Sequence, residues 1–198
     1  MAELFTVINT FTLKDPAQAG EFEARFLSHV EWMRAQDGFD SHQAVRLTER
    51  PEVYVNIGRW RSPQDFKQVL GSQVFQEHAK EFHQLVDVVA APSMNVLRSG
   101  DKAASTPVVV VESVESTDEP ETFEKAWAGY LDRLAAQDGF RHAELSRSLV
   151  KPGAYTFASW WTEGQAYRAA RAAVAAPAQG TADLAAHVTA HPTVATAA

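Results

Sequence analysis

The chain has 198 residues, 45% hydrophobic and 10% aromatic, which is enough for a packed core and too much for disorder. A formal net charge of −7 with no Lys/Arg cluster excludes nucleic acid as an expected partner, and the lack of cysteine excludes disulfides, thiolate catalysis and thiolate metal sites. No apolar run reaches the roughly 20 residues of a membrane span, and Met1-Ala2-Glu3-Leu4 lacks the basic-then-apolar order of a signal peptide, so a cytoplasmic protein is expected.

Leu4–Leu13 is rich in Phe, Val, Ile and Thr and reads as a strand. Asp15-Pro16 then opens a helix, with Phe22, Phe26, Val30 and Met33 spaced as one apolar face. Asp37-Gly38 ends it, because glycine tolerates the left-handed geometry beyond a helix C-terminus. Strands are expected at Phe39–Thr48 and Val53–Arg61, helical pattern from Ser62 to Leu70 and from Ser72 to His83, and a closing strand at Met94–Arg98. The order is β-α-β-β-α-β.

Ser99–Pro107 has linker composition, after which the pattern restarts with a strand at Val108–Glu115 and a helical face of Phe123, Trp127, Tyr130 and Leu134. Gln137-Asp138-Gly139-Phe140 repeats Gln36-Asp37-Gly38-Phe39 at a shift of 101 residues. At the same shift Tyr54 meets Tyr155, Trp60 meets Trp161, and Phe66 meets Tyr167. Matches on a helix face, a turn and a strand end identify an internal duplication. The expected units are residues 1–98, a linker at 99–107, and 108–198. The second copy turns Ala-rich after Tyr167, and its last strand is expected near His191–Ala197.

A β-α-β-β-α-β unit is ferredoxin-like, with helices on one face of an antiparallel sheet. Its other face needs a cover, which a second copy supplies. The expected fold is therefore α+β: two ferredoxin-like repeats closing into a barrel-like pseudo-dimer within one chain. A further homodimer of the whole chain is left open.

Tyr54, Asn56, Gly58 and Trp60 share one side of their strand, and Phe66 lies on the first turn of the next helix. An amide beside two aromatics offers a donor and an acceptor to a planar ligand. An Asn bonded to a neighbouring strand and a Trp that merely packs fit the same residues. Asn9 interrupts an apolar strand, and its counterpart at the common shift is Val110. His78 shares a helical face with Phe82 and Leu85, as a partly buried side chain or as a ligand. His187/His191 has metal-binding spacing without a carboxylate companion, and no metal is assigned.

On these residues the chain resembles the antibiotic biosynthesis monooxygenase superfamily, whose fold is a dimeric α/β-barrel. Val55-Asn56-x-x-x-Trp60, with an aromatic six residues on, is similar to the cofactor-independent anthrone oxygenases, which carry Tyr where this chain has Phe66. The resemblance implies a small aromatic substrate, an anthrone-like polyphenol oxidised with O₂ to a quinone, and no cofactor. It implies catalytic roles for Asn56 and Trp60 and substrate contacts from Phe66 and Lys80, beside which Tyr54, Asn9 and His78 are expected as further substrate contacts. The second copy keeps Trp161 and Tyr167, implying a reduced site, but has Phe157 in place of Asn. A haem-degrading branch is similar through Asn9 and a helical His at His78, with Val69 where that branch has Trp. Haem bound through His78 is thus the alternative cofactor, and a non-catalytic small-molecule-binding protein is the third reading.

Overall fold

In the computed structural model, which describes residues 4–100, 106–178 and 180–187, the first strand is β1 (Leu4–Leu13). Asp15 caps a 3-10 turn at Pro16–Gln18 by accepting from the Ala17 N–H, and helix α1 (Ala19–Arg34) follows, burying Phe22, Phe26 and Val30. Next come β2 (Phe39–Leu47), β3 (Val53–Trp60), α2 (Pro63–Leu70), α3 (Gln73–Leu85) and β4 (Val86–Gly100). The second repeat comprises β5 (Val108–Glu115), α4 (Pro120–Ala135), β6 (Phe140–Ser148), β7 (Ala154–Trp161), α5 (Gly164–Ala173) and β8 (Gly180–His187).

The strands close into one barrel in the order β1-β3-β2-β8-β5-β7-β6-β4, every pair antiparallel. Two seams join the repeats, β4 with β6 and β2 with β8. Alternation along the strands then sorts the side chains. Val53, Val55 and Ile57 face the lumen and pack with Val109, Val111 and Trp160 of the other repeat, whereas Tyr54 and Trp60 face the helices. The expected intramolecular dimeric α/β-barrel is what the chain forms.

Two strands differ from expectation. The closing strand of the first repeat is 15 residues long, not the five of Met94–Arg98. Before Pro92, β4 is paired to β1 alone, and proline is tolerated on a strand with an open edge. Ser99 and Gly100, expected in the linker, end this strand, and residues 101–105 lie outside the described residues. The last strand runs over Gly180–His187, and the expected segment His191–Ala197 lies outside the described residues.

The repeated Gln-Asp-Gly-Phe turn has a backbone reason. Gly38 and Gly139 both sit at φ 80°, where L side chains are strained. A β-carbon on Gly38 would stand 2.3 Å from Asp65 Cγ, the residue whose N–H is capped by Ser62 at the start of α2. Gly38→Ala is therefore expected to cost at least the roughly 1–2 kcal/mol of a left-handed residue, read as a lowered midpoint in thermal unfolding.

Candidate active site

Trp60 ends β3, and Ser62 starts α2 by accepting from the Asp65 N–H at 3.2 Å, which brings Phe66 onto the first turn. The Phe66 ring lies 5.3 Å from Trp60 and 5.6 Å from Phe5. Between β1 and the helices α2 and α3 is a cavity of about 520 Å³, walled by Val7, Asn9, His29, Phe66, Phe75 and Phe82 among others. That size falls in the roughly 300–1,000 Å³ range of small-molecule sites. A recess of about 40 Å³ shares Val7, Asn9, His29 and Phe66 with it and adds His42, Asn56, Gly58 and Trp60.

Two N–H donors meet over Gly58. The point a β-carbon would occupy there lies 3.6 Å from Asn56 Nδ2 and 3.8 Å from Trp60 Nε1. Asn56 Oδ1 is buried and has no hydrogen-bond partner among the described residues. An unsatisfied buried acceptor costs about 1–3 kcal/mol, a cost that a ligand hydroxyl in the recess removes. Asn9 is directly opposite Asn56 on the neighbouring strand. The sequence-predicted Asn9, Asn56, Trp60 and Phe66 are thus brought together.

Others are placed elsewhere. Tyr54 is buried against Phe22 under α1, and its hydroxyl donates to Glu23 at 2.7 Å, so it does not wall the cavity. Burial and that bond push its hydroxyl well above the usual tyrosine range. Lys80 is exposed on α3 and is not part of the cavity wall, where Lys67 and His83 supply the basic side chains. His78 also stands off the cavity, with Nδ1 2.9 Å from His29 Nδ1. A haem iron held by His78 would therefore stand outside this cavity, with Nε2 as the ligating nitrogen because Nδ1 is engaged by His29.

His29 was not singled out from the sequence, although it lines both cavity and recess. The signal was present: Phe22, Phe26, His29 and Met33 recur at four, three and four residues, placing His29 on the apolar face of α1. Burial, with His78 adding to it, lowers the His29 pKa to about 3.

The second repeat has the same frame with a different lining, whose polar groups bond to one another. By the common shift, Tyr130, Ala143, Phe157 and Ser159 replace His29, His42, Asn56 and Gly58. For Asn9 the register corrects the sequence alignment: Asn9 pairs with Asn56, while Glu112, not Val110, pairs with Phe157. Trp161 Nε1 donates to Ser159 Oγ at 2.9 Å, so the indole is satisfied internally. Tyr167 donates to Glu112 at 3.3 Å, and Arg171 donates to the Tyr130 hydroxyl at 2.9 Å. Burial raises the Glu112 carboxyl, with Arg171 and then Tyr167 opposing it. Trp161 and Tyr167, expected to touch substrate, are instead buried in the packed core of their own repeat.

The profile of the antibiotic biosynthesis monooxygenase family matches residues 4–94 and 108–178. The deoxynogalonate monooxygenase of Streptomyces nogalater is 33% identical over 79 residues, which covers 39% of this chain and 64% of that protein. The chain thus spans less than two thirds of that relative's length. Among solved structures, an anthrone oxidase-like protein is 18% identical with a TM-score of 0.68, covering 98% of this chain and 97% of that one. A Fusobacterium nucleatum protein is 9% identical with a TM-score of 0.76, covering 95% of this chain and 94% of that one. These two share the fold of the present chain. Both repeats being matched by the profile, the chain belongs to the antibiotic biosynthesis monooxygenase family.

Proposed function

We propose that the first repeat is a cofactor-independent monooxygenase site that oxidises an electron-rich, anthrone-like polyphenol with O₂ to a quinone. The observation that carries this reading is the pair of N–H donors, Asn56 Nδ2 and Trp60 Nε1, converging over the bare Gly58 beside a cavity walled mainly by apolar side chains. The names of a deoxynogalonate monooxygenase and an anthrone oxidase-like protein among the relatives agree with it.

The chemistry follows from the substrate. An anthrone methylene that loses a proton leaves a carbanion delocalised onto the ring carbonyl, whose oxygen becomes an enolate. The two donors sit where that oxygen enters the recess and stabilise charge that exists only after deprotonation. The carbanion passes one electron to O₂, and the radical pair joins to a carbon-bound peroxide. Protonation of the peroxide, loss of the second methylene proton and cleavage of the O–O bond give the quinone carbonyl and one water. Phe66, Phe75 and Phe82 form apolar wall, which keeps the enolate away from bulk water.

Gly58→Ser tests the recess directly. At 3.6 Å and beyond, an added β-carbon makes ordinary contacts, so the fold is expected to stand. A hydroxyl there would accept from Trp60 Nε1 as Ser159 does from Trp161, taking one donor away from the substrate. Oxygen uptake with 1,8-dihydroxyanthrone is expected to fall about 100-fold, by analogy with the loss of one oxyanion donor, while the unfolding midpoint stays put. Uptake at the unaltered rate with the fold intact counts against the reading.

A further inference from the structure

The oxygenase reading leaves a proton to be placed, and the cavity wall presents one ring, His29, that is backed by a second, His78, off the cavity. His29 Nδ1 and His78 Nδ1 are 2.9 Å apart. Two imidazole nitrogens approach that closely only by sharing a proton, one donating and the other accepting. With Nδ1 engaged, Nε2 is the nitrogen His29 has left to offer, and its ring lines both cavity and recess. Aromatic neighbours fix the pair: Phe82 meets the His29 ring at 5.1 Å and 90°, Phe75 meets it at 5.7 Å, and Trp32 meets the His78 ring at 5.4 Å and 87°.

We propose that His29 and His78 form a proton shuttle, His29 taking the methylene proton of the substrate and His78 storing the charge until the peroxide needs it. The proposal rests on the oxygenase reading of the same cavity. As the C–H bond breaks, its electron pair stays on the substrate and an N–H bond forms at His29 Nε2. The proton on His29 Nδ1 crosses to His78 Nδ1, so the positive charge resides on the ring that stands off the cavity. When the peroxide forms, His29 Nε2 returns a proton to it, His78 passes its own back, and the pair is restored.

Burial and His78 hold the pKa of His29 near 3, so the ring is neutral at rest. The acceptor placed to take a proton from His29 Nδ1 is His78 Nδ1, at 2.9 Å. Among the described residues, the other ionisable groups lining the recess or the cavity with His29 are His42 of β2 in the recess, and Lys67 of α2 and His83 of α3 in the cavity. In the second repeat the position of His29 is Tyr130, whose hydroxyl is committed to Arg171, and no such pair exists there among the described residues.

Two rates separate the shuttle from the oxygenase: deuterium exchange into the methylene of 1,8-dihydroxyanthrone without oxygen, and oxygen uptake with it. The wild-type protein is expected to accelerate both. His29→Gln is expected to lose about 100-fold or more in both, the usual contribution of a general base. His29→Ala, with recovery of exchange by added imidazole, covers the case where His29→Gln does not fold. His78→Gln keeps a hydrogen-bond acceptor for His29 Nδ1 but cannot store a proton, so exchange is expected to fall by about 10-fold or more; full retention would make His78 structural only and overturn the shuttle. Exchange and uptake unaltered in folded His29→Gln overturn it as well, leaving the oxygenase reading intact. Exchange without uptake in the wild-type protein overturns the oxygenase reading and with it the return of the proton to a peroxide, keeping only proton abstraction by the pair, and the absence of both overturns both.

Discussion

Asn56→Ala is expected to lower oxygen uptake with an anthrone by about 100- to 1,000-fold, the measured scale for deleting one donor of an oxyanion site. The loss should fall on kcat, because the amide meets full negative charge only once the substrate has ionised. Stability should hold or rise slightly, since truncation also removes a buried carbonyl oxygen that has no partner among the described residues. Trp60→Phe should show a loss of similar size with some destabilisation, because Trp60 is 1% exposed and packs against Phe39 and Phe66. Ser159→Gly provides the contrast. It strips the acceptor from Trp161 Nε1 in the second repeat, and uptake is expected to stay at the wild-type rate. Steady-state oxygen consumption, read with thermal unfolding for each variant, checks all three.

The second large effect concerns the barrel rather than the cavity. Glu144 of β6 lies in the lumen at 2% exposure, where Oε2 accepts from Arg59 Nε at 2.9 Å and Oε1 accepts from Arg98 Nη2 at 2.8 Å. His142 Nε2 is 2.9 Å from Oε1. Arg59 belongs to the first repeat and Glu144 to the second, so this ion pair spans the pseudo-dimer. Glu144→Gln keeps the shape but leaves two guanidinium groups without their counterion, and about 3–5 kcal/mol of stability is expected to be lost. Urea unfolding at neutral pH measures it.

Both Glu144 and His29 make the fold acid-sensitive, over different ranges. Burial alone would raise the Glu144 carboxyl, but Arg59, His142 and Arg98 outweigh it and hold it below the usual carboxylate range. Its contribution is complete above the unfolded carboxylate pKa and is lost as pH falls through that range toward the folded value. His29 is lowered from 6.5 to about 3, so the unfolded chain binds the extra proton first and stability declines as pH drops through that interval. In urea midpoints taken against pH, His29→Gln should remove the decline that begins near 6.5, and Glu144→Gln the one that begins at lower pH.

The frame of the molecule was legible because its signals are periodic. Phe22, Phe26 and Val30 mark a helix face, Tyr54 to Trp60 alternate, and the Gln-Asp-Gly-Phe turn recurs where glycine alone fits φ 80°. The residues missed or misplaced depend on partners distant in sequence. Val86–Ser93, outside the expected closing strand, is held by pairing with β1. The counterpart of Asn9 became Glu112 because β5 pairs with β7 two residues out of step with the alignment, and residue letters do not carry register. Asn56, Trp60 and Phe66 were found together because one strand corner holds all three. His29 comes from α1, 27 residues before Asn56 in the chain, and only packing brings it to the recess. Tyr54 shares its side of β3 with Asn56, but α1 covers it before any cavity begins.

Oxygen uptake by chelator-treated protein with 1,8-dihydroxyanthrone, measured beside quinone formation, tests the central claim most directly. The account predicts one O₂ consumed for each quinone formed, a rate unchanged by chelation, and near-complete loss in Asn56→Ala. Uptake that disappears with the chelator, or that survives Asn56→Ala at the wild-type rate, would contradict it.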